Sequence, residues 1–117
     1  MPLNHVSLTV ADRARSAAFY AEHFGLSERL HDDEHLLILR ERDTGGLLAL
    51  SEGEPAAAGL PPHNHFGFQL ASGDDVRVAR ERFRAAGVEE AEWQDSHGFV
   101  RVQVFDPDGY RVEVYAF

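Results

Sequence analysis

The amino-acid sequence predicts an α+β fold of two βαβββ modules in tandem, each a curved four-stranded mixed sheet with one helix, the two pairing to enclose a cavity. Three observations predict it. The stretch LNHVSLTVA at residues 3–11 returns as HNHFGFQLA at residues 63–71, so that Asn4, His5 and Ala11 lie over Asn64, His65 and Ala71. Each copy is followed by a segment of helical periodicity that stops at a glycine, Gly25 or Gly87. After each glycine come three short β-like runs divided by turn residues.

The first module covers residues 1–52. Residues 3–10 alternate, with Val6, Leu8 and Val10 on one face and His5, Ser7 and Thr9 on the other, as a half-buried strand requires. Asp12 is a suitable N-cap for a helix over Arg13–Phe24, in which Ala17, Phe19, Tyr20 and Phe24 recur at helical spacing. Strands are predicted over residues 27–31, 35–40 and 47–51, parted by Asp32-Asp33 and by Asp43-Thr44-Gly45-Gly46. Residues 53–62, rich in Glu, Ala, Gly and Pro, read as a linker. The second module, residues 63–117, repeats the order. A strand over 63–70 precedes a helix from about Asp74 to Ala86, with Val76, Ala79, Phe83 and Ala86 in register. Strands over 89–94, 99–105 and 110–117 follow, the last two joined by Asp106-Pro107-Asp108-Gly109.

Composition limits the chemistry. A chain of 117 residues, 44% hydrophobic, suits one compact domain. Twenty acids against eleven bases give a net charge of −9, a field opposite to the one that phosphate backbones need, so no nucleic-acid partner is expected. All eleven bases are Arg, so Schiff-base lysine chemistry is excluded. The absence of Cys removes disulfides, thiolate nucleophiles and zinc-thiolate sites. No long apolar run or signal segment is evident, so no membrane partner and a cytoplasmic location are expected.

Strand phase selects the residues that face the concave side of each sheet. If Val6, Leu8 and Val10, or Phe66, Phe68 and Leu70, pack on the helix, then His5 with Ser7 and His65 with Gln69 face away from it. In the last strand Val112, Val114 and Ala116 take the helix side, which turns Arg111, Glu113, Tyr115 and Phe117 inward. In the strand before it, Val100, Val102 and Val104 leave Arg101 and Gln103 on the concave side. Two imidazoles and a carboxylate on such faces are the donor set of divalent metal sites with open positions, and a cation would offset the cost of burying Glu113. His23, His31, His35, His63 and His97 lack this phase and are assigned to surface or loop.

These features resemble the vicinal oxygen chelate superfamily, which holds glyoxalase I, bleomycin-resistance proteins, fosfomycin-inactivating enzymes and extradiol ring-cleaving dioxygenases. The resemblance runs through the whole chain and is carried by LNHVSLTVADRARSAAFYAEHFGL, HNHFGFQL and FDPDGYRVEVYAF. It implies His5, His65 and Glu113 as ligands of a divalent ion, Fe, Mn, Co, Ni or Zn, that binds a small substrate through neighbouring oxygens. Arg101, Gln103, Tyr115 and Ser7 are the expected catalytic or substrate-contacting groups around it: Arg101 either pairs with an anionic substrate group or is a solvated rim residue, Gln103 donates a hydrogen bond, and Tyr115 and Ser7 are further donors. The reaction implied is that of a glyoxalase-like lyase or isomerase, or of a ring-cleaving dioxygenase. Glyoxalase I carries a fourth ligand, a Glu, near the position of Ala49 or Leu50, and neither residue here coordinates. Fosfomycin enzymes use a Lys for the phosphonate and a Tyr where Gln103 stands. The alternative is a metal-free, bleomycin-resistance-like protein that sequesters a small molecule. Similar small members exchange modules between two chains, which implies a homodimer with His5 from one protomer and His65 and Glu113 from its partner.

Overall fold

A computed structural model describes residues 1–117. Its elements run β1 (His5–Val10), α1 (Arg13–Phe24), β2 (Glu28–Asp32), β3 (Leu37–Arg40), β4 (Leu47–Glu52), a 3₁₀ turn (Ala57–Gly59), β5 (His65–Gln69), α2 (Gly73–Ala85), β6 (Glu90–Ser96), β7 (Phe99–Phe105) and β8 (Arg111–Ala116). This is βαβββ twice, in an α+β fold, as the repeat predicts. The chain packs as two compact units, Met1–Gly59 and Leu60–Phe117. No helix is long and apolar enough to cross a membrane.

In the first unit the sheet order is β1-β4-β3-β2, with β1 and β4 parallel and the other pairs antiparallel. Helix α1 begins where Asp12, in extended backbone, accepts a hydrogen bond from the Arg15 N–H, and it ends at Gly25, whose φ of 70° is a left-handed cap. Its buried residues Ala17 and Tyr20 share the core with Val10, Leu37, Leu39, Leu48 and Leu50. His23 departs from the expected surface position: it lies on α1 with its side chain only 11% exposed, its ring 4.9 Å from that of Phe19. Strand β3 starts at Leu37 rather than His35, because the Asp33 carboxylate accepts the N–H groups of both His35 and Leu36 and makes them part of the turn.

The second unit repeats the topology as β5-β8-β7-β6, with β5 and β8 parallel. Val76 and Phe83 of α2 pack on the face of the sheet that carries Val100, Val102, Val104, Val112 and Val114. The helix starts one residue before the expected Asp74, since the Ser72 hydroxyl accepts the Asp75 N–H and draws Gly73 into the first turn. Ala86 is its exposed C-cap and not part of the packed face. The β7–β8 turn is held by Asp106, which is buried and accepts N–H bonds from Asp108 and Tyr110.

Strand β6 carries a bulge between Glu90 and Glu92. Residues two apart normally share a face, but the extra residue puts these two glutamates on opposite faces. Glu90, opposite Val104, reaches the helix side and binds Arg80 of α2 through both carboxylate oxygens. This pair lowers the Glu90 pKa and raises that of Arg80. Glu92, opposite Gln103, is left on the concave side.

The turn after β2 yields a direct pH prediction. The His31 ring, followed by the His35 and Leu36 N–H groups, pulls the Asp33 pKa from its ordinary 3.8 down to about 2. A depressed carboxylate stabilises the fold above its unfolded pKa, and that contribution is lost as pH falls from 3.8 through about 2. A carboxyl titration followed by NMR should place the Asp33 midpoint near 2, and His31→Gln should move it upward.

Candidate functional site

The site is built on the face of the second sheet that turns away from α2. Glu113 lies on β8 between Val112 and Val114, whose side chains go to the core, so alternation sends its own the other way. It is nonetheless only 7% exposed, so the carboxylate must be compensated where it sits. Three groups meet its Oε2 atom. The buried Gln103 amide donates from Nε2 at 2.7 Å, the Arg101 guanidinium donates from Nη1 at 3.2 Å, and His65 Nε2 lies at 3.4 Å.

The β5–β8 pairing makes this possible through Gly67, the register partner of Glu113. A Cβ at residue 67 would stand 3.0 Å from the Glu113 carbonyl oxygen and 3.1 Å from its Cβ. Glycine therefore keeps open the space between His65 and Gln69 through which Glu113 faces the pocket. That pocket has a volume of about 400 Å³ and is lined by His65, Gly67, Glu113, Phe99, Tyr115 and Phe117, with Phe66. Phe99, Tyr115 and Phe117 form an aromatic wall, with centroids 5.5 to 6.4 Å apart.

The orientation of His65 bears on what the pocket holds. Its Nδ1 lies 2.8 Å from the His63 carbonyl oxygen, which only accepts, so Nδ1 carries the hydrogen and donates it. A neutral imidazole then presents Nε2 as a lone pair, and that lone pair faces a carboxylate oxygen 3.4 Å away. Two acceptors facing each other are reconciled by a proton on Nε2 or by a shared metal ion. Donors held by one ion at about 2.1 Å each stand roughly 3 Å apart, so the imidazole and carboxylate fit a shared metal in type and in spacing. A backbone carbonyl on the other ring nitrogen is the usual outer support of a metal-binding His.

His5 occupies the same position in the first unit, on β1, with Nδ1 donating to Asn4 Oδ1 at 3.2 Å. Ser7 lies two residues on, exposed on the same face and paired with Ala49. Register identifies Ala49 as the counterpart of Glu113: it lies between Ser7 and Ile38 as Glu113 lies between Gly67 and Gln103. Leu50 points into the core. The first unit thus brings one imidazole and no acid to its face at that position. Within neither unit do three His, Asp or Glu side chains gather into a metal-binding group.

Arg101 and Gln103 are engaged more fully than their strand phase foretells. Arg101 Nη1 also lies 2.9 Å from Glu92 Oε2, and its Nε donates to Gln94 Oε1 at 3.2 Å. Its guanidinium is thus already shared by two carboxylates, where the sequence leaves it either paired with an anionic ligand or solvated at the rim. Gln103 is 2% exposed, and its Oε1 is buried with no partner, because turning the amide over would set an oxygen against Glu113 Oε2. Tyr115 reaches the pocket itself.

Sequence pattern assigned no site role to Gly67 or to Glu92. Gly67 had a signal, since an isolated glycine inside an alternating strand marks a close backbone approach. Glu92 had none, because a bulge that shifts strand phase is decided by pairing with β7.

A family model described as the Glyoxalase/Bleomycin resistance protein/Dioxygenase superfamily matches residues 2–114. Among solved structures the chain is similar to the genomically encoded fosfomycin resistance protein FosX from Listeria monocytogenes, with a TM-score of 0.81 and 24% identity over 100% of this chain and 93% of that one. FosX is also known in complex with Mn(II) and sulfate. A possible glyoxalase from Bacillus cereus matches with a TM-score of 0.79 and 26% identity over 97% of each chain. Lactoylglutathione lyase from Agrobacterium tumefaciens matches with a TM-score of 0.76 and 24% identity over 98% of this chain and 92% of that one. No curated protein matches. Identities near one quarter establish a common fold.

Gly67→Ala tests the close approach at Glu113. The added methyl should cost about 1–3 kcal/mol by overpacking, measured by denaturant unfolding, whereas Gly59→Ala, with open space around it, should cost less.

Proposed function

The chain belongs to the Glyoxalase/Bleomycin resistance protein/Dioxygenase superfamily, and on that premise we propose that it is a divalent-metal-dependent enzyme acting on a small substrate chelated through neighbouring oxygens. The observation that carries this reading is His65 Nε2 standing 3.4 Å from Glu113 Oε2 beside an open pocket, with the other ring nitrogen committed to the His63 carbonyl. His65, Glu113 and His5 are the proposed ligands. Their imidazole and carboxylate donors suit Fe, Mn, Co, Ni or Zn, and the Mn(II) complex of FosX supports a divalent ion in this fold. When bound, such an ion supplies Lewis-acid stabilisation of a developing negative charge on substrate oxygen.

The chain's own residues do the rest. Gln103 and Arg101 hold the Glu113 carboxylate in place, Gly67 leaves the approach to it clear, and the wall of Phe99, Tyr115 and Phe117 excludes water and receives the apolar part of the substrate. The Tyr115 hydroxyl and, from the first module, Ser7 are proposed as hydrogen-bond donors to the substrate. Ala49 supplies no fourth ligand and no second carboxylate to move a proton, which weighs against glyoxalase I chemistry and leaves a three-ligand lyase, isomerase or ring-cleaving dioxygenase.

We further propose a cytoplasmic homodimer in which the first module of one protomer faces the second of its partner. On this reading His5 comes from one protomer and His65 with Glu113 from its partner. The competing reading, a metal-free binder like the bleomycin-resistance proteins, draws support from one observation: Gln103 and Arg101 both donate to the Glu113 carboxylate and so compensate its burial.

Metal analysis separates the two. Untagged protein should carry about one divalent ion per chain and His65→Ala substantially less; metal-free protein in both forms would favour the binder. Gel filtration should give twice the chain mass, and a monomer at micromolar concentration would contradict the shared site.

A further inference from the structure

We infer that Arg101 is a built-in competitor of the metal ion: its guanidinium holds Glu113 in the ion-free protein and withdraws onto Glu92 when a cation binds, so that the Arg101–Glu92 pair sets the affinity of the site. The inference rests on the reading of His65 and Glu113 as ligands. Its physical basis is that one carboxylate oxygen can accept an amide N–H and a metal together, but a guanidinium and a divalent cation on that oxygen repel each other at close range. Gln103 can therefore stay at Glu113 Oε2 through metal binding at little cost, whereas Arg101 held there opposes the ion.

The surroundings provide a place for Arg101 to go. Its contact with Glu113 Oε2, at 3.2 Å, is longer than its contact with Glu92 Oε2, at 2.9 Å, and the same Nη1 atom makes both. Its Nε is separately anchored on Gln94 at 3.2 Å. Two of its three attachments are thus on β6, so a small rotation releases Glu113 while the guanidinium keeps a carboxylate and an amide. Arg111 Nη1 lies 3.9 Å from the other Glu92 oxygen, Oε1, so the two arginines meet different oxygens and Oε2 is left to Arg101. The β6 bulge that turns Glu92 to this face, against the phase of Glu90, creates that second position. Arg101 is in this view a positioning residue that tunes the ligand and does not touch substrate.

Binding of Mn(II) to the untagged full-length protein, read by the EPR signal of the free ion, tests this in parallel with melting temperatures taken with and without saturating Mn(II). Arg101→Met should bind Mn(II) roughly tenfold tighter than wild type, equivalent to about 1.4 kcal/mol. Glu92→Gln, which removes the alternative partner and leaves Arg101 on Glu113, should bind several-fold more weakly. Arg84→Met removes the same charge from exposed helix surface on the other side of the sheet and should change the affinity far less. Arg101→Met should also melt lower than wild type without Mn(II), with the gap narrowing when Mn(II) is added.

Unchanged or weaker Mn(II) binding by Arg101→Met, or a gain matched by Arg84→Met, would overturn the inference while leaving the ligand assignment standing. If Arg101→Met fails to fold, Glu92→Gln decides: unchanged or tighter binding by it refutes the competition. Wild-type protein that takes up no Mn(II) would bring down the ligand assignment and this inference together.

Discussion

A nearly buried carboxylate governs the second half of this molecule. Glu113 sits between two core valines on an inner strand of its sheet, and alternation forces its side chain onto the concave face. A charge in that position has to be surrounded by donors or by a cation. Two features around it follow from that need: a glutamine whose second polar atom is left without a partner so that the first can donate, and an arginine drawn in from the neighbouring strand; the glycine opposite meets a separate constraint, the close approach of the two strands at the Glu113 carbonyl oxygen and Cβ.

That arginine itself depends on β6, and β6 depends on α2. The bulge divides Glu90 from Glu92, and Glu90 anchors the helix side through Arg80, whose guanidinium also lies 4.2 Å above the Trp93 ring. Further along, Asp95 takes Arg77 in a two-bond pair, which lowers the Asp95 pKa. Exposed pairs of this kind contribute little to stability singly. Their consequence here is positional: they tie both ends of β6 to the helix and so hold the strand segment that presents Glu92 and Gln94 to Arg101.

The two modules share topology and differ in chemistry. Register places Ala49 where the second module has Glu113 and Ile38 where it has Gln103. With no acid at that position, the first sheet needs no arginine beside it, and Ser7 and Ala49 occupy the corresponding pair. One backbone plan thus yields a polar, acid-centred face in one copy and a plainer face with a single imidazole in the other. The repeat preserves the histidine and the strand order, and the site-building residues around the acid belong to one copy alone.

What the sequence by itself determined is what local periodicity carries. Period-two alternation marks the faces of β1, β7 and β8 and so points His5, Arg101, Gln103, Glu113 and Tyr115 away from the helices; helical spacing and capping residues bound α1 between Asp12 and Gly25. These signals survive because each depends on a few neighbouring residues. Tertiary structure alone decided the rest. Whether Arg101 waits for a ligand or serves Glu113, which face Glu92 takes, and why residue 67 has no side chain all depend on register between strands and on a bulge. Pairing energies between segments ten or more residues apart set those, and a linear pattern does not contain them.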